Sequence, residues 1–134
     1  MVAEMDERLH DLLVRSEACH TVHDYLQHFA NPIRLRILCE LSMGERTVNE
    51  LVEAVGARQT TVSQQLNLLR LAGLVGRTKD GAHRRYRLAD PLAVDTMEFL
   101  VGLADKLVAR TTVAGNADDR ATRPTRRRKR SNGG

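Results

Sequence analysis

The segment from Gly56 to Val75 constrains this chain more than any other, because it reads as one helix with two unlike sides and the glycine-bounded ends that such a helix needs. Val62, Leu66 and Leu69 recur at the spacing of a single helical face and are expected to meet a core. Thr60, Ser63, Gln64 and Asn67 fall on the opposite side, with Gln59 at the leading end. A glutamine can make two hydrogen bonds to an adenine edge, and a threonine methyl can touch a thymine methyl, so this helix is suited to a DNA groove. A solvated surface helix has the same polarity, and its neighbours in the sequence separate the two readings.

Upstream, Thr47-Val48-Asn49-Glu50 has the spacing of a capping box, and Leu51, Val52 and Val55 give the helix it starts an apolar side. Gly56 ends that helix. Two helices joined by a glycine turn, the second with a polar outer face, form a helix-turn-helix whose second member reads bases. Downstream, Gly73 closes the reading helix, and residues 74–79 and 83–88 flank an Asp80-Gly81 turn, which predicts a β-hairpin. Arg77, Lys79, His83, Arg84 and Arg85 give the hairpin a cationic tip suited to phosphates or the minor groove. The plan is a winged helix-turn-helix, with Arg58, Gln59, Thr60, Thr61, Ser63, Gln64 and Asn67 as the candidate DNA contacts of the reading helix.

Charge is distributed to match. The chain carries a formal net charge of +4, yet residues 1–53 hold five Lys/Arg against ten Asp/Glu, and residues 54–89 hold seven against one. Residues 90–119 hold two against six, and residues 120–134 add seven cations without an acid. Positive charge is thus concentrated on the proposed reading unit and on the tail, which directs a duplex to one surface. The tail includes Arg126-Arg127-Arg128-Lys129-Arg130 and no large apolar residue, so residues 116–134 are expected to be a disordered basic segment that makes nonspecific phosphate contacts or only aids solubility.

Residues 1–115 of this 134-residue chain are expected to form one domain, and a chain of this length has a limited core. Two long helices are expected at its ends. The first spans about 4–29, with Leu9, Leu12, Leu13, Cys19, Val22, Leu26 and Phe29 on one stripe; the last spans about 91–110, with Val94, Met97, Leu100, Val101, Ala104, Leu107 and Val108 spread around it. So much apolar surface exceeds the needs of one small core. The fold class is therefore mainly α with a small β-hairpin wing, dimerising through the first and last helices, in keeping with the two-fold symmetry of most helix-turn-helix operators. Between these helices, Asn31 caps a helix that begins at Pro32 and buries Ile33, Ile37, Leu38 and Leu41. No signal peptide or apolar run of spanning length is present, so a cytoplasmic protein without a membrane partner is expected.

The run Phe29-Ala30-Asn31-Pro32-Ile33-Arg34-Leu35-Arg36-Ile37-Leu38-Cys39-Glu40-Leu41, followed by Thr47 to Leu51, Thr61-Val62-Ser63-Gln64-Gln65-Leu66, Ala72-Gly73-Leu74-Val75 and Tyr86-Arg87-Leu88, resembles the ArsR/SmtB family of bacterial repressors over residues 25–108. The resemblance implies a dimeric winged-helix repressor that sits on double-stranded operator DNA, an imperfect inverted repeat, and leaves it when a metal ion or other chemical signal binds. Arg58 stands where many relatives have a capping serine; it costs a cap and adds a phosphate contact.

The family's metal sites are not matched. Where thiophilic-metal sensors carry a Cys-Val-Cys type pair, this chain has Thr47-Val48-Asn49, and where zinc sensors carry Asp-x-His on the last helix it has Asp95-Thr96-Met97. His20, His23 and Asp24 have separations that let side chains meet at one ion, although a helix surface with a few histidines is the commoner explanation, so no cofactor is required. Ile37-Leu38-Cys39 with Ser63-Gln64-Gln65 resembles the branch that senses persulfides and oxidants through two cysteines, and Cys19 would have to substitute for the partner that branch carries on its last helix. The other reading of Cys19 and Cys39 is two small buried hydrophobes in a reducing compartment. The chain lacks His-Glu-x-x-His, a phosphate-cradling glycine loop and Gly-x-Ser-x-Gly, so catalysis is not expected. The alternative function is a winged helix without its own sensor, acting as a DNA-architectural or protein-interaction module.

Overall fold

Where this chain caps its helices and turns through left-handed glycines decides the layout of its elements. The computed structural model describes the backbone of residues 6–121 and the side chains of residues 6–115. It comprises two units, Met1–Met97 and Glu98–Gly134.

Helix α1 (Glu7–Arg15) begins at Asp6, whose carboxylate accepts from the Arg8 amide at 3.0 Å. It stops at Ser16, which is extended (φ −111°, ψ 170°), and α2 (Ala18–Gln27) follows. The single first helix expected over 4–29 is therefore two. The Ser16 hydroxyl accepts from the Ala18 amide and donates to the Leu12 carbonyl, drawing the backbone out of the helical ladder at that point. Of the expected first-helix stripe only Phe29 is buried; Leu9, Leu12, Leu13, Cys19, Val22 and Leu26 are exposed.

Helix α3 (Pro32–Ser42) is capped as the sequence indicates: the Asn31 side chain accepts from the amides of Ile33 (2.9 Å) and Arg34 (3.1 Å), and Pro32 occupies the first turn. Ile37, Leu38 and Leu41 are buried, while Ile33 is half-buried. Strand β1 (Arg46–Thr47), which the sequence did not reveal, leads into α4 (Val48–Val55). Thr47 caps α4 through the Glu50 amide at 3.2 Å and donates its hydroxyl to the Glu50 carboxylate at 3.1 Å. Gly56 (φ +72°) ends α4 in the left-handed region.

The reading helix α5 (Gln59–Leu71) starts at Arg58, which supplies no side-chain cap. It ends in a Schellman motif, with the Gly73 amide on the Arg70 carbonyl and the Leu74 amide on the Leu69 carbonyl, both at 3.0 Å, and Gly73 at φ +80°. The wing comprises β2 (Val75–Asp80) and β3 (His83–Leu88), antiparallel, and β1 pairs with the far side of β3 to give the order β1-β3-β2. Asp80 pairs with His83, so the connection is Gly81-Ala82, one residue later than the expected Asp80-Gly81 turn, with Gly81 providing the positive φ of +61°.

The core of the first unit gathers Phe29, Ile37, Leu38 and Leu41 with Leu51, Val55, Val62, Leu66 and Leu69, then Leu74, Val75 and Tyr86 from the wing and Ala93 and Met97. Helix α6 (Pro91–Ala121) runs beyond the expected end near residue 110. Its first turns belong to the first unit, where the Tyr25 hydroxyl on α2 meets the Thr96 hydroxyl at 3.1 Å and the Tyr25 ring lies 5.2 Å from that of Phe29. In the second unit the helix exposes Phe99, Val101, Leu103, Leu107, Val108 and Val113. Residues 122–134 of the expected basic tail lie outside the described residues. Among the described residues, no helix is long and apolar enough to cross a membrane.

Removing the double-acceptor cap of α3 is expected to cost about 1 kcal/mol in Asn31→Ala, whereas Asn31→Asp stays close to the parent. Urea denaturation of the full chain, compared at equal m-value, checks both.

Candidate nucleic-acid interface

Burial of Val62, Leu66 and Leu69 on the core side of α5 fixes which of its polar residues face outward. Gln59, Ser63 and Asn67 recur at intervals of four, and with Arg70 they form one wall of a groove of about 470 Å³. Thr47, Val48 and Asn49 at the start of α4 line one part of it, and Arg77, Ala82, His83, Arg84 and Tyr86 bring the wing against it. Among the described residues, no carboxylate lines this groove, whereas three guanidinium groups and an imidazole do. The polar lining consists of amides, hydroxyls, an imidazole and cations, which is the donor set for phosphate oxygens and base edges.

Of the residues singled out from the sequence, Gln59, Ser63, Asn67, Arg77, His83 and Arg84 come together in the groove. Arg58, Thr60, Gln64 and Lys79 are exposed outside its lining, and Thr61 is half-buried. Thr60 and Gln64 follow Gln59 and Ser63 by one position each, a rotation of about 100° around the helix. The outer surface of α5 is therefore wider than the groove wall. Arg85 is turned away: it pairs with Thr78 and Thr47 across the sheet, on the face opposite Arg84 and Tyr86, and its guanidinium lies 3.5 Å from the Asp80 carboxylate.

Sequence reasoning missed Thr47, Asn49 and Arg70. The first two were read only as helix-start residues, although a helix N-terminus is also an anion site. Arg70 sits among leucines, and its position three residues after Asn67 on the same face was the available signal. Arg34 was missed as well; its guanidinium donates to the carbonyls of His28 (3.1 Å) and Gln27 (3.0 Å) and to Gln65 Oε1 (2.9 Å).

The wing holds an unfavourable pair. Lys79 lies directly opposite Arg84, so both side chains leave the same face of the hairpin. Like charges in register cost about 0.2–1 kcal/mol, and a bound polyanion removes that cost.

The two thiols are free and exposed, which corrects the reading of Cys19 and Cys39 as buried hydrophobes. Cys19 lies in the first turn of α2, whose apolar stripe is uncovered, and Cys39 stands outside the buried Ile37-Leu38 side of α3. His23 Nδ1 meets Asp24 Oδ1 at 3.2 Å and its Nε2 meets Gln27 Nε2 at 3.3 Å, so both ring nitrogens are engaged, and His20 joins neither contact. Among the described residues, no three His, Cys, Asp or Glu side chains converge on a metal position.

Residues 31–76, from the cap of α3 to the first residues of the wing, match the family model described as "Bacterial regulatory protein, arsR family". The "Biofilm growth-associated repressor" of Xylella fastidiosa is 32% identical over 103 residues, covering 75% of this chain and 90% of that protein. The chain belongs to the ArsR family. The crystal structure of the transcriptional repressor BigR from Xylella fastidiosa superposes with a TM-score of 0.64 at 29% identity, covering 74% of this chain and 96% of that one. A homodimeric winged helix-turn-helix DNA-binding domain from Mycobacterium bovis superposes with a TM-score of 0.61 at 27% identity, covering 82% of this chain and 95% of that domain. As an ArsR-family protein the chain is a DNA-binding transcriptional repressor and not an enzyme.

Lys79→Gln is expected to act with opposite signs on folding and on binding. Thermal stability stays level or rises, because the Lys79–Arg84 repulsion is gone, while the slope of log K against log salt for duplex DNA becomes shallower by about 0.9. Melting curves and binding titrations at several salt concentrations measure the two effects.

Proposed function

We propose that two copies of this chain form a homodimeric cytoplasmic repressor that occupies an imperfect inverted repeat and releases it on a chemical signal. The observation that carries the DNA reading is the acid-free groove between α5 and the wing, where Gln59, Ser63 and Asn67 stand beside Arg70, Arg77 and Arg84. Gln64 and Thr60 on the outer surface of α5 read base edges in the major groove, and Arg58, Lys79 and Arg84 hold phosphates. Two reading helices then sit about one helical turn apart.

Dimerisation is supported by apolar side chains that the single chain leaves in water: Leu9, Leu12 and Leu13 on α1, and Phe99, Leu103 and Leu107 along α6. Covering a large apolar side chain contributes about 1.5–3 kcal/mol. The Mycobacterium bovis relative is itself homodimeric. For the signal, the free and exposed Cys19 and Cys39 favour a persulfide or an oxidant over a metal, since no cluster of ligands forms among the described residues. The protein needs no resident cofactor. A coupling of about 1–3 kcal/mol between the thiols and the DNA surface would lower operator affinity by a factor of roughly five to one hundred and fifty.

Three expected outcomes test this. Gln64→Ala weakens binding to the wild type's preferred duplex in gel shifts with competitor DNA, and specific binding that survives unchanged would refute the base-reading role. Phe99→Glu raises the dimer dissociation constant by roughly thirtyfold or more, as truncating an interface anchor does, read by analytical ultracentrifugation. For the signal, the reduced protein on DNA is titrated with a persulfide donor, peroxide, zinc, nickel and arsenite. Release by persulfide or peroxide with a matching mass change, abolished in Cys39→Ala, is expected; occupancy unaffected by every agent would end the sensing proposal.

A further inference from the structure

Outside the groove, one side chain joins three helices. Arg34 on α3 places donors on two carbonyls at the C-terminal end of α2, Gln27 and His28, and on the Gln65 side-chain oxygen of α5, at 2.9–3.1 Å. The carbonyls that close a helix have no partner within it, and a cation there also complements the helix dipole. Arg34 thus supplies the His28 carbonyl with a donor and adds a second donor to the Gln27 carbonyl, which also accepts from the Ala30 amide at 3.3 Å, and with a third donor it grips the reading helix. Both Arg34 and Gln65 are half-buried, and neither lines the groove. The α2 end of this contact is anchored in turn, because Tyr25, two residues before Gln27, meets Thr96 at 3.1 Å and packs its ring, tilted by 51°, against the buried Phe29.

We infer that Arg34 and Gln65 form a positioning latch that sets the orientation of the reading helix relative to α2, and that specific DNA affinity depends on this latch although neither residue touches DNA. The inference rests on the DNA reading proposed above and adds residues that reading does not use. Its physical basis is the planar guanidinium fork: three donors fixed in one plane constrain three acceptors at once, which a flexible ammonium cannot do. Val62, Leu66 and Leu69 fix which face of α5 is buried, but apolar contacts are not directional. The Arg34–Gln65 hydrogen bond adds a directional restraint on how that helix lies.

The test uses the full chain and a duplex enriched by the wild type from a random pool. Gln65→Met keeps the volume and removes the acceptor; it is expected to weaken specific binding on the order of tenfold. Binding to random-sequence DNA stays unchanged. Gln65→Glu, which restores an acceptor and strengthens the grip, retains specific binding within about threefold. Arg34→Gln falls with Gln65→Met, and the double variant is no weaker than either alone, as expected for two ends of one contact. In Arg34→Gln the slope of log K against log salt is unchanged, whereas a guanidinium on a phosphate would lower it by about 0.9.

Wild-type affinity in Gln65→Met, loss of binding in Gln65→Glu equal to that in Gln65→Met, additive losses in the double variant, or a reduced salt slope in Arg34→Gln would each overturn the latch while leaving the DNA reading intact. Failure of the wild type to enrich any duplex would instead remove the DNA reading, and the latch with it. Should Gln65→Met not fold, as judged by its circular dichroism, Arg34→Gln decides the matter: specific binding at the wild-type level, or a reduced salt slope, overturns the latch, and specific binding weakened at an unchanged slope supports it.

Discussion

One wedge of aliphatic side chains, Val62, Leu66 and Leu69 against α3 and α4, governs the rest of this molecule. All three are essentially inaccessible to water, and at 3.6 residues per turn their burial leaves α5 no rotational freedom. The polar side of the helix is outward because the apolar side has nowhere else to go. Ile37, Leu38 and Leu51 complete the seat, and Leu74 and Tyr86 extend it under the wing. Core packing and DNA recognition are thus two faces of one periodic pattern.

Electrostatics supplies the second layer. Across residues 54–89 seven cations face a single acid, Asp80, and that acid is engaged by Arg85 on the side of the wing away from the groove. The groove is left with the positive charge of Arg70, Arg77 and Arg84, and Lys79 stands opposite Arg84 across the hairpin. A wing built for its own stability would interleave signs across the strands. This one carries a local cost that a ligand of opposite charge removes, and the acidic stretches on either side in sequence limit that attraction to one region of the chain.

The fold was legible wherever the signal was local. Asn31-Pro32, the Thr47–Glu50 spacing, Gly56, Gly73 and the alternation into the wing each acted within a few residues of where they stand, and the elements begin and end accordingly. Illegible features depended on contacts distant in sequence or on subtle competition. Ser16 broke the first helix through its own hydroxyl, a choice a leucine stripe conceals. Strand β1 exists only because Arg46 and Thr47 find Tyr86 and Arg85. Gln59, Ser63, Asn67, Arg77, His83 and Arg84 gather in the groove, whereas Arg85 turns to Asp80, since a run of cations does not show which of them a two-residue alternation sends to the far face. Arg34 escaped notice because its acceptors are carbonyls and an amide on other helices, none of which carries a charge pattern.

The Schellman motif at Gly73 leaves no linker between helix and strand. Leu74 closes the helix with its amide, is itself buried, and offers its carbonyl to the Ala89 amide at 3.0 Å, so the same residue also fastens the strand leaving the wing. Helix α5 and the wing, the proposed base-reading and phosphate-holding parts, are therefore geared together like the jaw and shank of one tool. On the DNA reading proposed above, the distance along a duplex between a recognised base and its flanking phosphate would be built into the chain as a fixed gauge, set by the one buried residue that ends the helix and holds the wing.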